Sequence, residues 1–250
     1  MGDERVGLHL FSTAGFLDDS WFNRTYWMYS ARWPGFYIAN QAPKTGQLLV
    51  FDDKRTYGVN AFTRRNRHSP FFFPETDGYL IFADDNDNEP ILTGEPGGPE
   101  AVAWLRQNEY DSSRGTVDIA MPTFDKDKGI GFTRAKPPLW MSWVNVRARA
   151  MTLAHSGEGD GKTLFFAGPP DVLVPGDELA AFQGRAGGWL WAVSAADGET
   201  IARLQLDDAP VFDGMIAARD MLFMTTENGQ ILGFADPSVR TLIDPAKKAS

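Results

Sequence analysis

Cysteine is absent from the 250 residues, which removes disulfides, thiolate metal sites and thiol nucleophiles together. Histidine is nearly as scarce. His9, His68 and His155 lie far apart and outside any His-Glu-x-x-His pattern, so their spacing offers no zinc site. There is no Gly-x-Ser-x-Gly elbow and no phosphate-cradling loop, and Gly129-Ile130-Gly131-Phe132-Thr133-Arg134 lacks the third glycine of a dinucleotide fingerprint. Positive charge is in short supply too: a net charge of −9 and a pI near 4.8 argue against a protein that displaces counterions from nucleic-acid phosphates. No apolar run approaches the roughly 18 residues of a membrane-spanning helix. Gly2-Asp3-Glu4-Arg5, directly after Met1, does not open a signal peptide.

What is present is material for a core, with 43% hydrophobic and 13% aromatic residues, interrupted by 25 glycines and 16 prolines spread along the whole chain. Many short elements fit that punctuation better than a few long ones. In Gly188 to Ala235, strand-forming runs at Trp189 to Ser194, Thr200 to Leu206, Val211 to Ala217, Met221 to Thr225 and Ile231 to Phe234 alternate with turn signals. The last turn holds Asn228-Gly229, a pair suited to the positive φ of a tight hairpin. Trp189-Leu190-Trp191-Ala192-Val193 and Met221-Leu222-Phe223-Met224 are apolar without alternation, which predicts strands buried on both faces. A meander of this length has the size of one propeller blade, roughly 40 to 50 residues. A buried hairpin of another β-sandwich is the competing reading.

Upstream, Gln47 to Phe51 and Thr56 to Val59 flank Asp52-Asp53-Lys54-Arg55 as a hairpin, Tyr79 to Ala83 reads as a strand, and Thr163 to Ala167 as another. Trp143 to Leu153 alternates so that Arg147 and Arg149 share one strand face. Asp177 to Phe182 reads as a short helical turn ended by Gly184. Residues 90–138 read as an irregular insertion. The fold expected is all-β: one propeller-type domain over 1–250 with four-stranded antiparallel blades, 188–235 the clearest of them, in a ring that is incomplete unless further blades lie in a longer chain.

The segments Leu190-Trp191-Ala192-Val193-Ser194-Ala195-Ala196-Asp197-Gly198, Pro210-Val211-Phe212-Asp213-Gly214-Met215 and Gly229-Gln230-Ile231-Leu232-Gly233 resemble a repeat of the PQQ-like (quinoprotein-like) propeller family. Leu17 to Trp27, Gly46 to Val59 and Arg147 to Pro170 are similar, more weakly, to C-terminal parts of large exported bacterial PQQ-like proteins. The resemblance implies a periplasmic or cell-envelope location where the full-length protein carries a signal peptide. It also implies that the missing blades of a longer chain are partners. The family's tryptophan-docking repeat, Ala-x-Asp-x-x-x-Gly-x-x-x-Trp, is met here with Ser194 in place of the aspartate and Ala202 in place of the tryptophan. With no cysteine, the chain also lacks the vicinal disulfide on which several quinone dehydrogenases stack their cofactor.

Three groups of residues are candidate sites. Asp18, Asp19, Trp21, Arg24 and Trp27 bring carboxylates, a guanidinium and large rings into ten residues, a composition that suits a sugar or planar ligand and equally an ion pair with buried aromatics at a sheet corner. Arg147 and Arg149 would attract an anion if they line a channel, or pair with acidic loops if they do not. Asp84, Asp85 and Asp87 offer the oxygen ligands calcium prefers, without the spacing of an EF-hand, and otherwise form a solvated hairpin tip. The function expected is a non-enzymatic binding or scaffold module for a protein or carbohydrate ligand. The alternative is a PQQ-dependent oxidoreductase of the alcohol or sugar dehydrogenase type, with calcium polarising the quinone and the cofactor site built largely outside this chain.

Overall fold

β-Branched and aromatic residues in short runs between glycine and aspartate turns leave the backbone one economical solution, the antiparallel meander. The computed structural model describes residues 7–12, 27–31, 42–60, 64–65, 72–73, 78–90, 138–155 and 161–235, and these contain strands and turns with no helix. The first sheet joins β1 (His9–Ser12), β2 (Trp27–Ser30) and β3 (Thr45–Gly46). In the second, β4 (Leu48–Phe51), β5 (Arg55–Asn60), β8 (Tyr79–Asp85) and β9 (Trp140–Val144) follow in that order. The small hairpin of β6 (Arg64–Arg65) and β7 (Phe72–Phe73) lies between β5 and β8 in sequence. The third sheet runs β10 (Ala150–His155), β11 (Lys162–Gly168), β12 (Gly188–Ser194), β13 (Thr200–Leu206), and the fourth runs β14 (Pro210–Ala218), β15 (Met221–Thr226), β16 (Ile231–Ala235).

Consecutive sheets pack against one another, and the first strands of the last three meet: β10 touches β4 on one side and β14 on the other. Two apolar layers result. Leu48, Tyr57, Val59, Ile81 and Val144 of the second sheet close on Met151, Leu164, Phe166, Trp191 and Val193 of the third. On the far face of the third sheet, Ala150, Ala167 and Leu190 close on Met215, Leu222 and Met224 of the fourth. Strand β8 is the clearest case of burial on both sides, since Leu80 and Phe82 face Leu49, Met141 and Trp143 while Ile81 and Ala83 enter the opposite layer. Gly58 is required opposite that strand, because a Cβ there would sit 2.5 Å from the Phe82 ring.

Several sequence expectations hold. The strands at Leu48–Phe51, Arg55–Asn60 and Tyr79–Asp85, the Asp52–Arg55 hairpin and the Gly229 turn, at φ 84°, all form. Four need correction. Residues 188–235 do not make one sheet: β12 and β13 complete the third sheet, and the chain passes at Asp207-Asp208-Ala209 into the fourth. Trp143 to Leu153 is not one strand either. It leaves the second sheet after Val144, and Arg147 N–H then donates to Pro169 O while Arg149 N–H donates to Ala167 O, which binds the segment to the third sheet. The stretch Asp177 to Phe182 is a run of turns rather than a helical segment, closed by Gly184 at φ 79°. Strand β15 is buried at Leu222, Met224 and Thr226 but half-open at the alternate positions, so only one of its faces is covered. Most of the 90–138 insertion lies outside the described residues.

Candidate functional site

The four-carboxylate turn formed by Asp84, Asp85, Asp87 and Glu89 gathers a cation, and that cation is a lysine. Lys44, fully buried, sits in the turn that leads into β3 and donates from Nζ to Asn86 O (2.6 Å), Asn88 O (2.8 Å) and Glu89 Oε1 (2.6 Å). Burial lowers its pKa, against the opposing pull of Glu89 and the neighbouring aspartates. Asp84 is buried and accepts from Asn88 Nδ2 at 2.7 Å, while Ser30 and the Ala31 N–H both reach Glu89. Among the described residues no group of three or more histidine or acidic side chains is arranged to hold a metal ion. The turn that carries Asp84, Asp85 and Asp87 thus receives an ammonium through Glu89 and two of its carbonyls, which ties the first sheet to the second.

Arg147 and Arg149 do not share a strand face. Ala148 N–H donates to Val146 O, a tight turn that puts Arg147 at its apex. Its guanidinium lies 4.4 Å from the centre of the Phe182 ring, and its Nη1 is buried without a hydrogen-bond partner among the described residues. Burial pushes the nearby Tyr79 phenol up to about 12, with Arg147 pulling the other way. Arg149 is spent on Glu227, and its carbonyl accepts from Asp213 N–H. The two arginines thus mark the end of the sheets where the chain crosses from one to the next. Beside them, the connection from Gly168 to Gly188 carries Leu173, 79% exposed, Leu179, 57%, and Phe182, 62%.

Of the aromatic and acidic cluster near the start, Trp27 pairs in β2 with Ser12 and Gly46 and is half-buried. Asp18, Asp19, Trp21 and Arg24 lie outside the described residues. His155 ends β10 and is exposed, and His9 sits on β1.

Two features escaped the sequence reading. The first is Lys44, a single lysine whose partner turn begins some forty residues later; the signal available was the unbalanced charge of the Asp84–Glu89 turn. The second is Trp140. In β9 it stands opposite Ala83, the register that Ala202 holds opposite Ala192 in the third sheet. Its Nε1–H donates to Ala195 O at 3.1 Å, and its ring covers Gly198 so closely that a Cβ there would lie 2.6 Å away. Trp140 thus links the second sheet's last strand to the turn between β12 and β13 of the third.

Compared with known proteins, the chain matches no protein-family model and no curated protein sequence.

Proposed function

We propose that the chain is a non-enzymatic, protein-binding module of the PQQ-like propeller type, working in the bacterial cell envelope. Sheets that follow one another in chain order and touch through their first strands support the propeller reading, as does Trp140 docked on the Ala195–Gly198 turn. The similarity of Leu17 to Trp27, Gly46 to Val59 and Arg147 to Pro170 to exported repeat proteins supports the envelope location. The binding role rests on one observation: Arg147, with a buried Nη1 that no acceptor among the described residues satisfies, stacks on a phenylalanine that stays 62% exposed. An unsatisfied buried donor costs about 1 to 3 kcal/mol. Large exposed apolar side chains rimmed by polar groups, with an arginine among them, are the composition of a protein-binding hot spot. A partner that covers Phe182 and offers a carbonyl or carboxylate to Arg147 relieves both.

The test uses a triple variant, Leu173→Asp, Leu179→Asp and Phe182→Asp, with Ile201→Asp on β13 as a control that alters an equally exposed apolar residue elsewhere. Cross-linking with mass spectrometry in the native envelope should recover one partner with the wild type and with the control, and lose it with the triple variant at unchanged thermal stability. Capture of the same partner by the triple variant defeats the proposal. So does turnover of an alcohol or sugar by a sample loaded with PQQ and calcium.

A further inference from the structure

The third and fourth sheets part at the end opposite Arg147, leaving a cleft of about 760 Å³, within the roughly 300 to 1,000 Å³ range of small-molecule sites. Leu190 and Leu222 floor it, and Leu153, Phe165 and Phe234 wall it. Its mouth is polar. His155 ends β10 there, and Arg219 and Asp220 make the two-residue turn between β14 and β15.

That turn is built at a cost. Arg219 and Asp220 both adopt left-handed backbone, at φ 51° and 58°, in the two positions of a hairpin that Asn-Gly fills most easily. Non-glycine residues there are strained, and strain of this kind persists where the side chains serve something besides the turn. The Arg219 guanidinium and the His155 imidazole engage no acceptor among the described residues, and Asp220 is the one carboxylate on the described lining. Two nitrogen donor groups therefore stand over a trough lined mainly by apolar side chains.

We propose that this cleft binds a small amphipathic carboxylate, its hydrocarbon body on Leu190, Leu222 and Phe234 and its head group on the Arg219 fork, with His155 as second donor. The guanidinium matches a carboxylate through two parallel hydrogen bonds, which gives the head group direction as well as charge. The body gains from burial against side chains already fixed in the sheet core. The site is separate from the protein-binding end and does not depend on it.

Dodecanoate, kept below its micelle concentration, is the probe. Calorimetry on the full chain should give one site with a dissociation constant of about micromolar order. The paired exchange Arg219→Asn and Asp220→Gly should weaken binding about tenfold or more while raising the thermal midpoint, because it relaxes the turn. That combination separates a ligand role from a structural one. Ala217→Trp, which fills the trough from β14, should abolish binding. No binding by the wild type overturns the proposal. Undiminished affinity in the Asn-Gly variant, or equally tight binding of dodecyltrimethylammonium, also overturns it. Binding that appears only after residues 236–250 are deleted makes the chain's own tail the occupant and overturns it as well.

Discussion

The seam between the second and third sheets and the seam between the third and fourth are both made from antiparallel meanders, yet they are fastened at opposite ends. In the first, the hairpin end is shut: Trp140 docks on the Ala195–Gly198 turn, and Lys162 Nζ donates to Asp52 Oδ2 at 2.7 Å. Between these clamps Tyr57, Trp140, Phe166 and Trp191 fill the layer with rings. In the second seam the fastening lies at the crossing end. There Arg149 pairs with Glu227, Asp213 N–H donates to Arg149 O, Glu227 N–H to Ala209 O, and Asn228 bonds Asp208. At its hairpin end only the small Ala217 and Ala218 face the gap from β14, and the cleft opens. Ring volume set against glycine closes one seam; alanine opposite leucine leaves room in the other.

The largest break in that comparison should come from Trp140→Ala, which removes a ring from the closed seam together with its hydrogen bond. Loss of about 3 to 5 kcal/mol is expected in denaturant unfolding, with no change at the cleft. Gly198→Ala attacks the same contact from the other side. At φ 77° and 2.6 Å from the ring, an added methyl should cost about 2 to 4 kcal/mol, combining backbone strain with overpacking. In the Trp140→Ala background most of the overpacking share should vanish, leaving about 1 kcal/mol from the backbone alone. Equal costs in both backgrounds would mean that Gly198 is required by its turn and not by Trp140. Phe234→Ala, in the open seam, should cost only about 1 kcal/mol, since that ring is half-buried on the wall of the cleft and solvent already reaches it. A loss as large as that of Trp140→Ala would show the two seams to be equally tight.

The seams also mark how far the sequence could be read. Strands were legible wherever an apolar run stood between turn residues, as at Tyr79–Asp85 and Gly188–Ser194, because burial on both faces leaves an uninterrupted run. The boundary between sheets was not. Asp207-Asp208-Ala209-Pro210 carries the same turn chemistry whether it returns the chain to its own sheet or passes it to the next, so the 188–235 segment read as one unit. Arg147 and Arg149 alternate as a strand would, but the kink between Val146 and Ala148 depends on hydrogen bonds to Ala167 and Pro169, which no local pattern encodes. Trp140 follows Ala83 by more than fifty residues, and only strand pairing reveals that it stands opposite Ala83 as Ala202 stands opposite Ala192. Candidate chemistry was legible as composition alone. Four carboxylates in the 84–89 turn announce the need for a cation, but that Lys44 brings one to Glu89 from the neighbouring sheet is visible only in the fold.

The smallest effect belongs to the ion pair that clamps the closed seam, and it separates electrostatic from steric closure. Burial by itself would raise the Asp52 pKa, but the hydrogen bond from Lys162 and the N–H groups of Lys54 and Arg55 outweigh it, and the carboxyl titrates below its ordinary 3.8. Lys162 moves the opposite way, above its ordinary 10.5, chiefly through its hydrogen bond to Asp52. A depressed carboxylate adds stability that is fully present above pH 3.8 and lost as pH falls through the folded-state value. A raised ammonium adds stability that is present below pH 10.5 and lost as pH rises through its folded-state value. Asp52→Asn should therefore cost about 0.5 to 1 kcal/mol near neutrality, modest because both side chains keep some solvent access, at 15% and 17%. Its stability profile should be flatter than the wild type's below pH 4 and above pH 10 alike. If the variant loses the acid limb alone, Lys162 finds another carboxylate, and the hairpin end is held by Trp140 and the glycine beneath it rather than by charge.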